Sequence, residues 1–377
     1  MNIFYDENMP FAKEFFSGFG QLTAFNGRAV TAEQLVDADV LLVRSVTKVT
    51  PELLKQNTRL KFVGTATIGV DHIDQSYLKE RDIAFYSAPG CNAISVAEYV
   101  ISCLVVLAER YQLDLFSLTV GIIGAGNTGT RLSEKLNALG IKYVLCDPPL
   151  AESKKDARQF VELEQALSCD VISLHVPKVL TGQHPTYHLL DQQCLNKLTE
   201  QQILINACRG EVIDNQALLK LKQNGHGLKL VLDVWENEPN ILQPLIEHTE
   251  ISTAHIAGYS LEGKAKGTEI LYRALSDELG LDINKDLSQM LPKSGLSQVE
   301  IDSSFSGIIL NQLVKMVYDV RRDDSIFRQS MKDEQNLDQR FDNIRKTYPT
   351  RREFSAVTVK LVSQTKCDEP HLLGFSK

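Results

Sequence analysis

Arg209, Glu238 and His255 carry the side chains that oxidation of a 2-hydroxy acid requires. That reaction needs an anchor for a carboxylate, a base for the hydroxyl proton and an acceptor for a hydride. Arginine offers a carboxylate a planar fork of parallel N–H donors. Histidine titrates near neutrality, so it takes the proton in oxidation and returns it in reduction. A glutamate beside it fixes the imidazole tautomer, stabilises the imidazolium and is expected to raise the histidine pKa. Any one of the three alone is common at a loop for structural reasons. Here each follows a short apolar run that reads as a strand. Ile203 to Ile205 leads into Asn206-Ala207-Cys208-Arg209-Gly210, and Leu230 to Leu232 into Asp233-Val234-Trp235-Glu236-Asn237-Glu238-Pro239. Ile251 to Thr253 leads into Ala254-His255-Ile256-Ala257-Gly258-Tyr259. Parallel pairing of these strands would bring the three side chains to one edge of a sheet.

The hydride acceptor has its own signal upstream. Val120-Gly-Ile-Ile-Gly124-Ala-Gly126-Asn127-Thr128-Gly129 is an apolar strand, a tight glycine turn and the start of a helical pattern that stops at Gly140. In such a turn the first glycine permits the bend, the second admits a pyrophosphate and the third allows close helix packing. Asn127 and Thr128 open the helix whose first amides would point at the phosphates. A second strand, Lys142 to Cys146, ends at Asp147, placed to bind a ribose diol. Pro148 and Pro149 follow it with no arginine for a 2′-phosphate, so NAD is expected rather than NADP. Hydride transfer to a nicotinamide requires no metal. His184 and His188 are four residues apart, but Pro185 lies between them and no carboxylate or cysteine completes a set, so both read as loop residues. Cys208 reads as a small, half-buried residue and not as a nucleophile.

The elements that must position these groups alternate strand and helix, the pattern of an open parallel sheet. Asn2 to Tyr5, Val40 to Val43 and Leu60 to Val63 read as strands, and Phe11, Phe15, Phe16 and Phe19 fall at helical spacing. Arg44, Ser45 and Lys48 follow one strand and Thr67 another, so two cations and two hydroxyls in converging loops could hold a phosphate or carboxylate. Ser95-x-x-Glu98 reads as a capping box opening a helix, Val96 to Glu109, that is apolar nearly all round and so expected to be buried on every side. Val171 to Leu174 ends at His175-Val176-Pro177. Leu261 to Leu279 is helical in pattern, and Leu281 to Ser297 reads as a linker. Beyond it, Ile308, Leu313, Val317 and Val320 form a helical stripe, and Ser355 to Val362 alternates as an antiparallel strand would.

The bulk properties bound the reading. The chain has 377 residues, enough for two or three domains, with 43% hydrophobic and 23% charged residues. A net charge of −8 with no basic half argues against nucleic acid or an anionic membrane as partner. Seven cysteines, an odd number with no C-x-x-C pair, suggest a reducing compartment, the cytoplasm. Asp6 and Glu7 near the start do not fit a signal peptide, and the apolar stretch Val100 to Ala108 is too short to span a bilayer.

At these residues the chain resembles the D-specific 2-hydroxyacid dehydrogenase family. The likeness runs from about residue 1 to 285. It rests on Gly64-x-x-x-x-Gly69-x-Asp71-x-x-Asp74, Pro89-Gly90-x-Asn92, the glycine turn, Asn206-x-x-Arg209-Gly210, Asp233-Val234 with Glu238-Pro239, and His255-Ile256-Ala257-Gly258. The resemblance implies Arg209, Glu238 and His255 as the catalytic residues and Asp147, Ala207, Asp233 and Gly258 as NAD contacts, with Val176 and Cys208 beside them. It also implies Ser45, Thr67 and Tyr259 as contacts to a phosphorylated hydroxy acid, with Arg209 at the carboxylate and the Arg44 to Lys48 loop at the phosphate. One stretch departs from the family: Lys178-Val179-Leu180-Thr181-Gly182 replaces a shorter loop after Pro177. The fold implied is α/β, with two doubly wound parallel-sheet domains and a small α+β C-terminal dimerisation domain. A flavodoxin-like substrate domain would span residues 1–95 and 257–285, a Rossmann NAD domain 96–256, and the homodimer contact 286–377. The rival readings are another phosphorylated D-2-hydroxyacid dehydrogenase, such as 3-phosphoglycerate dehydrogenase, and a non-catalytic corepressor of the same fold that senses NAD.

Overall fold

Runs of apolar residues with no polar alternation make strands covered on both faces, and the computed structural model shows two such sheets. It describes residues 1–377 except 154, 334 and 363–367. The chain divides into two units. The first joins Met1–Asn92 to Ser260–Lys293, and the second joins Ala93–Tyr259 to Ser294–Lys377.

In the first unit β1 (Asn2–Asp6), β2 (Gln21–Phe25), β3 (Val40–Val43), β4 (Phe62–Thr65) and β5 (Ala84–Tyr86) form a parallel sheet in the order β2-β1-β3-β4-β5. That is the flavodoxin order. Every residue of β3 and β4 is buried. The edge strand β2 is largely exposed, which is why its composition gives no strand signal. Phe15 and Phe16 lie buried in the helix Ala12–Phe16 and stack around Tyr272 of the helix Leu261–Glu278, with ring centroids 5.2 and 6.2 Å away. The phenylalanine stripe is therefore core.

In the second unit β6 (Thr119–Ile123), β7 (Lys142–Cys146), β8 (Val171–Leu174), β9 (Ile203–Asn206), β10 (Lys229–Leu232) and β11 (Ile251–Ser252) are all parallel, in the order β11-β10-β9-β8-β6-β7. The winding reverses between β6 and β8, and ligands of doubly wound sheets bind at such a reversal. The helix Ala93–Tyr111 buries fourteen of its nineteen residues, as its all-round apolarity predicts. It packs on the helix Asn127–Ala138 and on two C-terminal helices, Gly307–Val317 and Val320–Ser330.

Three local expectations are corrected. Ser95 and Glu98 form no capping box, because the helix begins at Ala93 and both side chains turn into a buried polar seam. The Ser95 hydroxyl donates to Glu353 at 2.8 Å. Glu98 accepts from Lys135 Nζ at 3.2 Å and from the Phe354 amide at 3.1 Å. The C-terminal strand β13 (Thr358–Leu361) is parallel, not antiparallel, to β12 (Gln298–Ile301). Three helices lie between them, Gly307–Val317, Val320–Ser330 and Leu337–Lys346, and they supply the long crossover a parallel pair needs. Period-2 alternation reports which face is buried and carries no information about direction. The stripe from Ile308 to Val320 is likewise split between two helices, with Ile308 72% exposed. No described helix is long and apolar enough to cross a membrane.

The Lys135–Glu98 pair is nearly dry, with side chains 7% and 1% exposed. Removing one partner of such a pair strands the other charge. Lys135→Met should therefore cost about 3–5 kcal/mol in urea unfolding, with Lys135→Met/Glu98→Gln recovering part of the loss. Equal losses in the single and double variants would show that the pair itself carries no such penalty.

Candidate active site

The register of the second sheet aligns Leu232 with both Asn206 and Ser252, so the loops leaving β9, β10 and β11 are neighbours at one edge. Asp233 opens the middle loop and is buried. Its carboxylate accepts from the Thr253 hydroxyl at 2.6 Å, the Ile256 amide at 2.8 Å and the Ala257 amide at 2.9 Å. Burial pushes this carboxyl up, and the charge of His255 and those three donors oppose the rise. The Asp233 carbonyl accepts from the His255 amide at 2.6 Å. His255 itself sits at φ 55°, a left-handed conformation unfavourable for any residue with a Cβ. Hydrogen bonds on both sides hold it there, and strain held in this way tends to mark functional positions.

Glu238 accepts the Trp235 amide on one oxygen at 2.9 Å and His255 Nδ1 on the other at 2.7 Å. Burial would raise its carboxyl. The charge and hydrogen bond of His255 outweigh that, joined by the charge of Arg345 and the Trp235 amide, and hold it below its ordinary 4.5. An ionised Glu238 accepts only, so His255 carries its proton on Nδ1 and presents Nε2 for proton exchange. Arg209 is half-buried between these loops, its Nη1 donating to the Cys208 carbonyl at 2.7 Å. Asn206 fixes the turn by donating to the Arg209 carbonyl at 3.0 Å. Gly210 is required there, since a Cβ would overlap the backbone of Trp235. The structure thus gathers Arg209, Glu238 and His255 on adjoining loops, with Glu238 and His255 in contact.

The glycine turn follows β6 at the reversal. Gly124 has φ 93°, and a Cβ on it would lie 2.6 Å from the His175 carbonyl carbon. A Cβ on Gly129 would overlap the Gly124 carbonyl oxygen, whereas one on Gly126 would meet open space. The helix Asn127–Ala138 starts at Gly126 with no side-chain cap, leaving its first amides directed outward past exposed Asn127 and half-buried Thr128. Asp147 ends β7 beside the turn and accepts from the Ala125 amide at 2.8 Å. Val176 follows β8 on the other side of the reversal. Ala207 and Gly258 are half-buried in the loops after β9 and β11.

Cys208 is buried and not half-buried, and burial pushes its thiol to about 11, so it is no thiolate nucleophile. Two other readings change in space. No arginine stands directly after Pro148 and Pro149 in sequence, but Arg158 reaches the turn, donating to the Ala125 carbonyl at 3.0 Å and the Thr130 hydroxyl at 2.9 Å. Its charge is already paired with Asp156. His188, read as having no carboxylate to complete a metal set, lies with Asp214 and Glu236, their ligand-type atoms within 4.8 Å of one another. Glu236 accepts from His188 Nε2 at 2.6 Å and the Asn215 amide at 2.9 Å, and Asp214 caps the helix Asn215–Gln223.

In the first unit, Val43 aligns with Thr65, so the loops after β3 and β4 adjoin. Ser45 and Lys48 are exposed, and Arg44 donates to the Asn8 carbonyl at 3.0 Å. Thr67 donates to the Gly69 carbonyl at 2.8 Å and shares a 2.7 Å hydrogen bond with Thr65, which contacts His72 at 2.9 Å. Sequence spacing did not mark His72. Tyr259, in the second unit, accepts from Arg345 Nε at 3.3 Å. Arg345 lies 86 residues downstream and carries no motif signal.

His175 gives a pH signature. Burial lowers its pKa from 6.5 to about 4, with Nε2 bonded to the Ser173 hydroxyl at 2.8 Å and Nδ1 without a partner among the described residues. The unfolded chain binds this proton first, so the contribution is whole above pH 6.5 and is lost as pH falls towards 4. His175→Gln should flatten the dependence of unfolding stability on pH across that window by about one proton. An unchanged slope would show that His175 is not the group responsible.

Residues 106–257 match the NAD binding domain of the D-isomer specific 2-hydroxyacid dehydrogenases, and residues 290–374 match a domain of unknown function, DUF3410. The erythronate-4-phosphate dehydrogenase of Colwellia psychrerythraea is 60% identical, covering 100% of both chains. That of Tolumonas auensis is 53% identical over 100% of this chain and 99% of the relative. Among solved structures, the D-lactate dehydrogenase of Aquifex aeolicus complexed with NAD and lactic acid has 27% identity and a TM-score of 0.57, covering 74% of this chain and 97% of that one. The NAD-bound 3-phosphoglycerate dehydrogenase of Entamoeba histolytica, at 22% identity, shares the fold, with a TM-score of 0.63 over 76% of this chain and 99% of that one. This chain is an NAD-dependent enzyme, and it belongs to the erythronate-4-phosphate dehydrogenase family of D-isomer specific 2-hydroxyacid dehydrogenases.

Proposed function

We propose that this protein oxidises the C2 hydroxyl of 4-phospho-D-erythronate to the 2-oxo-4-phospho acid, in the route to pyridoxal 5′-phosphate. The observation that carries the chemistry is the 2.7 Å contact of His255 Nδ1 with an ionised Glu238 at the carboxyl edge of the sheet. The substrate follows from the named relatives and from the cations and hydroxyls after β3 and β4.

His255 Nε2 removes the hydroxyl proton, and Glu238 stabilises the imidazolium that forms. The Arg209 fork holds the substrate carboxylate. The hydride acceptor at C2 would be the nicotinamide ring of NAD, so the substrate would lose one hydride and one proton. Asp147, Val176, Ala207, Cys208, Asp233 and Gly258 flank the cofactor, together with the glycine turn. Arg44, Ser45, Lys48 and Thr67 receive the phosphate end, and Tyr259 contacts the substrate.

The assembly we propose is a cytoplasmic homodimer joined through residues 286–377. Ile308, Val362 and Leu372 expose large apolar side chains in this segment, which favours burial against a twin. The six cysteines among the described residues are free thiols, which suits a reducing compartment.

Single turnover with NAD and 4-phospho-D-erythronate should give a burst of reduced-nicotinamide fluorescence stoichiometric with active sites and absent with unphosphorylated erythronate. His255→Gln should bind NAD normally yet abolish the burst, and Arg209→Lys should cut kcat/KM by orders of magnitude. A burst with 3-phosphoglycerate alone would change the substrate, and wild-type turnover by either variant would remove that residue from its role. Ile308→Asp should shift sedimentation from dimer to monomer, and an unshifted dimer would place the contact elsewhere.

A further inference from the structure

We infer that Thr253 and Tyr99 are positioning residues of the active site: a buried chain of hydroxyl groups, running from Tyr99 to Thr253 to Asp233, holds the carboxylate that sets His255 in place. This rests on the functional reading above and adds to it a residue of the buried helix Ala93–Tyr111.

Tyr99 and Thr253 are both fully buried. Packing alone would be served by phenylalanine at 99 and valine at 253, and a hydroxyl taken out of water costs free energy unless it is bonded. Both hydroxyls are bonded, to each other at 2.9 Å, and Thr253 reaches Asp233 at 2.6 Å. A carboxylate can only accept, so the Thr253 proton goes to Asp233, and Tyr99 gives its own proton to Thr253. Cys103, one turn along the same helix, also hydrogen-bonds Tyr99, but sulfur is a weak acceptor and does not compete with a hydroxyl oxygen for that proton. A chain in which each group donates to the next polarises towards its charged end, so Tyr99 strengthens the bond that Thr253 makes to Asp233.

The backbone of Thr253 is itself fixed. Its amide donates to the Leu232 carbonyl at 3.0 Å, and its carbonyl accepts from Trp235 Nε1 at 2.9 Å. The Trp235 amide in turn donates to Glu238 at 2.9 Å. Thr253 thus stands behind both halves of the His255–Glu238 pair. Through Asp233 it sets the backbone after β11, and through Trp235 it meets the residue that holds Glu238. Without its hydroxyl, Asp233 keeps only the amides of Ile256 and Ala257 as donors to a buried charge. The carboxyl then protonates at higher pH and holds those amides more loosely. The titratable side chains that face Asp233 among the described residues are His255, Tyr99 and Cys103. Burial pushes the Tyr99 phenol and the Cys103 thiol up, so both stay neutral.

The test compares Thr253→Val, which keeps the shape and removes the hydroxyl, with Thr253→Ser, which keeps the hydroxyl, and with Tyr99→Phe. Two quantities are read: the single-turnover rate of nicotinamide reduction against pH, and amide hydrogen exchange at Ile256 and Ala257. Thr253→Val should slow hydride transfer about tenfold or more, move the acid limb of the rate to higher pH and speed exchange at those two amides. Thr253→Ser should restore most of each loss. Tyr99→Phe should give a smaller loss of the same kind, and none in the Thr253→Val background, where the chain is already cut. Unaltered exchange in Thr253→Val, or Thr253→Ser as impaired as Thr253→Val, would overturn the assignment. So would a Tyr99→Phe loss that persists in full beside Thr253→Val, or a fall in Tm with the rate profile unchanged. Absent turnover by the wild type would sink the functional reading while leaving the exchange measurement in force.

Discussion

The buried carboxylate of Asp233 is the interaction on which the active-site geometry depends. It sits where β10 ends and takes three donors from the loop after β11. A carboxylate removed from water is tolerated only with such satisfaction, each donor to it contributing on the order of 1.5–3 kcal/mol. The consequence is local and exact in direction. With the amides of residues 256 and 257 drawn towards Asp233, and the amide of His255 bonded to its carbonyl, His255 is left at positive φ with its ring turned to Glu238. The Asp233 side chain need not touch the reacting atoms to matter, because it sets where the base stands.

A second polar seam acts from behind. Lys135, Glu98, Ser95, Glu353 and Arg351 join the helices Ala93–Tyr111 and Asn127–Ala138 to the C-terminal segment. Buried charges of this kind add little net stability over well-packed apolar side chains, but they penalise every other register, because misalignment strands a charge. The same segment that forms the seam sends Arg351 to the Ala257 carbonyl and Arg345 to Tyr259. The loop that carries His255 is therefore clamped from two sources, its own sheet through Asp233 and the distant C-terminal helices.

The unequal legibility of these two clamps has a physical cause. Arg209, Glu238 and His255 could be found because each follows an apolar run, and parallel strands align their carboxyl ends whatever lies between them in sequence. The glycine turn was readable because Gly124 and Gly129 each face backbone that a Cβ would strike. Arg158, Arg345 and the Asp214–Glu236–His188 cluster were not readable, because side chains meeting across 20 to 90 residues leave no periodicity. The edge strand β2 was missed since an exposed edge needs no apolar face. The parallel direction of β13 is not legible in the sequence, because alternation tells burial and is silent on direction.

The helix Ala93–Tyr111 explains why the C-terminal segment cannot be only an assembly module. Its sequence is apolar all round, and a sheet can cover only one side of a helix. Leu310, Leu313, Val314, Val320 and Phe354 from the C-terminal segment are buried in the same core. At about 1.5–3 kcal/mol for each large apolar side chain removed from water, these five contribute roughly 10 kcal/mol. That equals the whole net stability of a typical domain, about 5–15 kcal/mol. The nucleotide-binding sheet would thus lose its covering along with the segment, and a chain ending near Leu281 would lose folded cofactor binding and any dimer contact together. Point changes at exposed positions such as Ile308 separate the two roles, because they leave that core intact.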